Sequence, residues 1–164
     1  VRTRPRRGSI GSQRALGRGP RTAAEIDASL ITLVDRVTRR MRAADRVGRT
    51  VVLRLRFSDF SRATRSHTMR RPTAQTQTIL VAMRGLVAAA TPMIERRGLT
   101  LIGVAVTNLA DAGERQLELP FEPDRSEALD EALDEVRRRF GSQALTRAVL
   151  LGRSPGLTVP LLPD

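Results

Sequence analysis

The sequence predicts an α+β fold of the split βαβ kind (βαββαβ): a four-stranded sheet with two helices on one face, followed by a linker and a short helical tail. Three observations carry this. Two stretches repeat apolar residues at helical spacing, one stretch, "RTVVLRLRF", alternates strictly between apolar and polar, and the elements run strand, helix, strand, strand, helix, strand.

Residues 1–8 form a basic arm, since "RTRPRR" is proline-interrupted and purely basic and therefore extended. "GSIGSQRAL" has the glycines and short side chains of a strand whose backbone can come close to another group, with Gly11 at its centre. In "RTAAEIDASLITLVDRVTRRMRAAD", Ile26, Leu30, Val34, Val37 and Met41 fall on one helical stripe, and Thr22 with Glu25 forms a capping box at its start. "RTVVLRLRF" then sets Val51, Leu53, Leu55 and Phe57 on one strand face and Val52, Arg54 and Arg56 on the other, so one face is core and the other basic. "SDFS" makes a turn, and "RATRSHTMR" keeps strand alternation with almost no large apolar residue, which predicts a polar, exposed edge strand. The second helix, "TAQTQTILVAMRGLVAAATPMIERRG", carries Ile79, Met83, Leu86, Val87, Ala90 and Ile94 on one stripe, with Pro92 expected to kink or end it. "LTLIGVAVTNL" is short, apolar and β-branched, a buried strand that closes a domain over residues 9–109.

Residues 110–125 are a linker. The remainder, 126–164, holds one amphipathic helix with Leu129, Leu133, Val136 and Phe140 on its apolar face and Gly141 as its stop, then "ALTRAVLLGR" as a short strand before a proline-rich end. The linker contains "QLELPF", where Pro120 removes a ladder donor. Such a hexapeptide is poor material for the chain's own sheet and suits a groove on another protein, or the apolar side of the tail helix beside Leu129 and Leu133.

Charge divides the chain. It has 29 basic residues, all arginine, and 17 acids, for a net +12. Residues 1–109 hold 22 arginines and 6 acids, whereas residues 110–164 hold 7 arginines and 11 acids. The first part is thus suited to a polyanion. Arginine's planar fork matches phosphate oxygens, and an arginine-only chain equally reflects a coding bias of its source. Between residues 49 and 72 there are seven arginines and one acid. Arg54, Arg56, Arg62, Arg65, Arg70 and Arg71 make the core of this field, with Arg6, Arg7 and Arg14 added from the arm and first strand. Thr64, Ser66, Thr68, Ser9 and Ser12 are the small hydroxyl donors that accompany arginine on a nucleic-acid backbone.

Several chemistries are excluded or disfavoured. No cysteine is present, so disulfides, thiolate metal sites and cysteine nucleophiles are absent, in keeping with a reducing, cytoplasmic compartment. His67, the single histidine, lacks companions for a metal site and reads as exposed or phosphate-facing. "GSQRALGRGP" lacks the Lys-Ser/Thr of a phosphate loop, and no nucleophile–base pair or inward carboxylate cluster is visible, so no catalytic residue and no metal site are expected. "GLVAAATPMI" is too short and proline-broken to span a bilayer, so no membrane partner is expected. The valine start suggests a piece cut from a longer protein, and the piece itself is expected to be monomeric. An RNA-recognition domain of related topology stacks bases on sheet aromatics, and this chain has four Phe, no Tyr and no Trp. Backbone binding without sequence preference is the better expectation.

Taken as a set, the motifs resemble one family. "RRGSIGSQRAL" resembles the opening of the little finger, or polymerase-associated, domain of Y-family translesion DNA polymerases of the DNA polymerase IV (DinB) type. "VVLRLRFSDFSRATRSHTM" is similar to that domain's middle hairpin, "QLELPF" to the sliding-clamp-binding peptide of bacterial members, and "LDEVRRRFGSQALTRAVLLG" to a tail that follows it. The resemblance covers essentially the whole chain. It implies a domain lying along the major groove of primer-template DNA, tethered to a catalytic core whose carboxylates hold Mg²⁺ for nucleotidyl transfer. It further implies a bacterial, nucleoid-associated location and the beta subunit sliding clamp as a partner. On the opening motif it places Arg7, Ser9, Gly11 and Ser12. On the clamp peptide it places Gln116 as polar hook, Leu117 and Leu119 as groove contacts, Pro120 as a bend and Phe121 as the deepest anchor, one residue later than in the shorter pentapeptide form. The rival reading is a free-standing nucleic-acid-binding protein of ribosomal or RNA-chaperone type.

Overall fold

The computed structural model describes residues 8–114, 125–153 and 158–159. Its elements are β1 (Ser9–Ala15), α1 (Ala23–Ala43), β2 (Arg46–Phe57), β3 (Arg62–Thr73), α2 (Thr76–Arg97), β4 (Leu99–Asp111), α3 (Arg125–Phe140) and β5 (Thr158–Val159). All strand pairings are antiparallel, in the spatial order β3-β2-β4-β1-β5. Each helical crossover therefore skips one strand: β4 lies between β1 and β2, and β2 lies between β3 and β4. That is the expected split βαβ arrangement, α+β in class.

The core lies between the sheet and the two crossover helices. Ile26, Leu30, Leu33, Val34, Val37 and Met41 of α1, with Ile79, Met83, Ala90 and Ile94 of α2, close over Val51, Leu53, Leu55, Phe57, Ile102, Val104 and Val106. Each large side chain buried in this way contributes about 1.5–3 kcal/mol. Where the helices meet, the hydroxyls of Thr38 and Thr76 pair at 2.9 Å, so two polar atoms are satisfied inside the core. The capping box is formed as expected. The Thr22 hydroxyl accepts from the Glu25 N–H at 3.2 Å, and the Thr22 N–H donates to the Glu25 carboxylate at 2.7 Å.

Four details differ from the sequence expectation. Pro92 does not end α2, which continues to Arg97. Pro92 and Ala88 both lie on the exposed side, so the carbonyl that loses its partner is open to water. By length and composition α2 could cross a membrane, with a mean hydropathy of 1.4. It nevertheless packs as a core helix on its apolar stripe, and Arg84 pairs with Asp27 at 2.8 Å. The run 144–153 is not a strand: Ala148–Leu150 is a 3₁₀ turn and Gly152 has φ 72°. A fifth strand does form, but at Thr158–Val159, paired with Gln13 and Arg14.

The tail helix packs chiefly through a face adjacent to the predicted one, and Leu133 and Val136 of the predicted face are still half-buried. Leu129 and Phe140 are 58% and 75% exposed, whereas Asp130 is 5% exposed. Asp130 and Asp134 take the Arg42 guanidinium between them, at 3.2 and 2.6 Å, and Arg137 pairs with Asp35 at 3.0 Å. The reason is electrostatic. The end of α1 is basic and α2 begins at Gln75 without a side-chain cap, so this corner attracts carboxylates more than leucines. Gly141, at φ 96°, stops the helix as expected.

A basic open sheet face as a candidate nucleic-acid interface

The side of the sheet away from the helices is built by strand alternation and register. Four rows cross β3, β2, β4 and β1 in turn: Thr68, Thr50, Thr107, Ser9; Ser66, Val52, Ala105, Gly11; Thr64, Arg54, Gly103, Gln13; and Arg62, Arg56, Leu101, Ala15. These rows contain three arginines, six hydroxyls, one amide and no acid. Arg56 and Arg62 lie directly opposite each other, an arrangement that costs about 0.2–1 kcal/mol between like charges unless an anion lies near both.

One end of the face is held in place by its own hydrogen bonds. Asn108 donates to the Thr50 hydroxyl at 2.8 Å, and Thr50 and Thr68 share a bond at 3.1 Å. At the centre, Gly103 keeps the floor flat. A Cβ there would touch the Cβ atoms of both Arg54 and Gln13 at 3.4 Å. Arg40 of α1 donates to the Gly11 carbonyl at 2.8 Å, tying β1 to the helix layer.

The structure gathers Arg54, Arg56, Arg62, Thr64, Ser66, Thr68, Ser9 and Gly11 on this face. It separates three other expected residues from them. Arg65 pairs with Leu53, Ser12 with Val104 and Arg14 with Ile102, so all three project toward the helix side, where Ser12 is buried. The physical reason is the two-residue period of a strand, which sends alternate side chains to opposite faces. Arg70 and Arg71 are exposed beyond the register shift near Gly48, apart from the rows. Arg6, Arg7, Gln116, Leu117, Leu119, Pro120 and Phe121 lie outside the described residues. Thr50, Gln13, Thr107 and Gly103 were not foreseen. Thr50 and Gln13 were legible from alternation with Val51 and Ser12, and Gly103 from a glycine inside an otherwise β-branched strand.

Among the described residues, no group of three or more His, Cys, Asp or Glu could hold a metal ion.

Residues 7–119 match the C-terminal domain of the impB/mucB/samB family. The chain is 37% identical over 158 residues to a DNA polymerase IV 2 of Mesorhizobium japonicum, covering 88% of this chain and 38% of that protein. It is 36% identical over 143 residues to a DNA polymerase IV of Moorella thermoacetica, covering 87% and 35%. It therefore spans under two fifths of the length of these relatives. Among solved structures, its fold is similar to that in a complex of a beta-clamp processivity factor and the little finger domain of PolIV (TM-score 0.51, 24% identity, 69% of this chain and 99% of that one). A Dbh ternary complex also matches (TM-score 0.53, 12% identity, 60% and 28%).

Proposed function

Because the chain belongs to the impB/mucB/samB family through its C-terminal domain, we propose that it is the DNA-gripping and clamp-binding region of a translesion polymerase of the DNA polymerase IV kind. The observation that carries the reading is the acid-free face on which Arg54, Arg56 and Arg62 stand in register among six hydroxyls. Its donors suit phosphate oxygens along the major-groove side of primer-template DNA. It offers no aromatic platform for stacking bases, and its arginines and hydroxyls suit phosphate oxygens, so it holds the backbone whatever the sequence. Arg70 extends the same field at its margin, and Arg6 and Arg7 of the basic arm are proposed to add to it.

In this reading, residues 9–109 grip DNA, 110–125 present the clamp peptide, and within the tail, 126–164, the helix α3 braces the domain from behind. Gln116, Leu117, Leu119, Pro120 and Phe121 dock on a sliding clamp, and the solved pairing of a little finger domain with a beta-clamp supports the assignment. The Mg²⁺ of such a polymerase does not fit the described carboxylates, which form no cluster, so it belongs to the catalytic part of the parent enzyme. The molecule works in the bacterial cytoplasm, at the nucleoid.

The test is duplex binding measured against salt. Three neutralised phosphates give a slope of log K on log salt near −2.7, and about −4.5 when Arg6 and Arg7 add two more. A flat salt response, or a preference above tenfold for one duplex sequence, overturns the reading.

A further inference from the structure

Behind the sheet, a cavity of about 610 Å³ opens between β1, the first half of α1 and tail residues 142–153. Among the described residues, seven arginines reach its wall against two acids, with Arg14, Arg21 and Arg36 on the domain side and Arg147 and Arg153 on the tail side. Both acids are already engaged. Asp35 accepts from Arg137 at 3.0 Å, and Glu25 is held in the capping box by Thr22. The cations meanwhile crowd one another: burial, and then the charges of Arg36 and Arg21, hold the Arg14 guanidinium below its ordinary value. The Nε groups of Arg21 and Arg137 are sealed from water without an acceptor. Like charges gathered around one cavity repel one another, and an anion seated among them relieves that repulsion.

We propose that this cavity is a second anion site, which takes a compact polyphosphate bridging the domain and its tail. The excess of five positive charges among the described wall residues calls for a polyvalent ligand, and a single carboxylate would answer only one of them. The volume lies within the usual range for small-ligand sites, about 300–1,000 Å³. The wall has no aromatic residue, so the phosphates are the recognised part and any attached base is held only by apolar contact with Leu16, Ile26 and Leu150. The site lies behind the sheet, on the side opposite the three arginines of the open face, so it is distinct from the duplex-binding surface. Its walls come from both the domain and the tail, and the ligand therefore favours the docked tail.

Inorganic tripolyphosphate is titrated into the whole 164-residue chain by calorimetry. The expected result is saturable binding that falls at least tenfold in Arg36→Gln with Arg147→Gln and changes less than twofold in Arg54→Gln with Arg62→Gln. Arg147→Gln alone, outside the domain core, keeps the fold and is expected to weaken binding about threefold. Absence of saturable binding to the parent chain, or equal losses in the two double variants, overturns the proposal. Two further arms identify the source of the phosphates. A nucleoside triphosphate that binds at least as tightly as tripolyphosphate supports a free nucleotide. Displacement of tripolyphosphate by a 5′-phosphorylated single strand, and not by the same strand with a 5′-hydroxyl, supports a strand end.

Discussion

The carboxylate of Asp130 accepts the backbone N–H of Thr76 at 2.8 Å, so a residue of the tail helix caps a domain helix 54 positions earlier in the sequence. The same oxygen also takes Arg42 at 3.2 Å, and Arg42 donates in turn to the Ala74 carbonyl at 2.9 Å. One acid thus completes the start of α2 and neutralises the end of α1. Asp130→Ala is expected to remove both roles and to cost roughly 1–3 kcal/mol, the sum of a lost cap and a weakened charge pair. Arg42 keeps Asp134 at 2.6 Å, which limits the loss. Chemical denaturation of the parent and variant chains measures it, and a midpoint unchanged within error shows that the tail does not brace the domain.

The tail helix shows where sequence reasoning stops. Its leucines and Phe140 have helical spacing, and in isolation that spacing assigns them to the buried side. What decides the packing is an uncapped helix start and a basic helix end in another part of the chain, which only come together in three dimensions. The sheet was far more legible, because strand alternation is local: Val51, Leu53, Leu55 and Phe57 are all buried as expected. The same local rule, applied to β3 and β1, separates Arg62 from Arg65 and Ser9 from Ser12. Counting arginines along the sequence hides this, since a charge tally has no faces.

That separation gives a contrast within one strand. Arg62→Ala is expected to weaken duplex binding and to reduce the salt slope by about 0.9. Arg65→Ala, three residues on and facing the helix side, is expected to change the slope by much less. Fluorescence anisotropy at four salt concentrations reads both. If the two variants are equivalent, the open face is not the binding surface.

Acid pH is expected to weaken the start of α1. Hydrogen bonds from the Thr22 backbone N–H, and then from its hydroxyl, hold the Glu25 carboxyl below its ordinary value of 4.5. A depressed folded-state value means that the contribution is complete above pH 4.5 and is lost as pH falls through the lowered value. Glu25→Gln removes this dependence and leaves the Thr22 hydroxyl accepting from the backbone of residue 25. Thermal melts from pH 6 to pH 3 are expected to converge for the two chains at the acid end. A gap that stays constant with pH assigns the effect of Glu25 to something other than its charge.

The proposed clamp peptide lies in the linker, at residues 116–121. A peptide with a polar hook and spaced apolar anchors docks in a preformed groove, and extended linker around it supplies reach at modest entropic cost. On the proposed reading, Gln116 makes the polar contacts, Leu117 and Leu119 fill the groove, and Phe121 anchors deepest, aimed by Pro120. The competing site within the chain is the tail helix, whose Leu129 is 58% exposed and still open to an apolar partner. Two measurements separate these outcomes. The triple variant Gln116→Ala, Leu119→Ala, Phe121→Ala is expected to bind a bacterial sliding clamp at least tenfold more weakly than the parent chain, whereas Leu129→Ala is expected to leave clamp binding unchanged or slightly stronger, because it frees any peptide held by the tail. Clamp and DNA attachments reinforce each other through effective concentration, so the loss is larger when the clamp is loaded on the same duplex. Equal affinity of parent and triple variant, with both folded, removes the hexapeptide as the clamp contact.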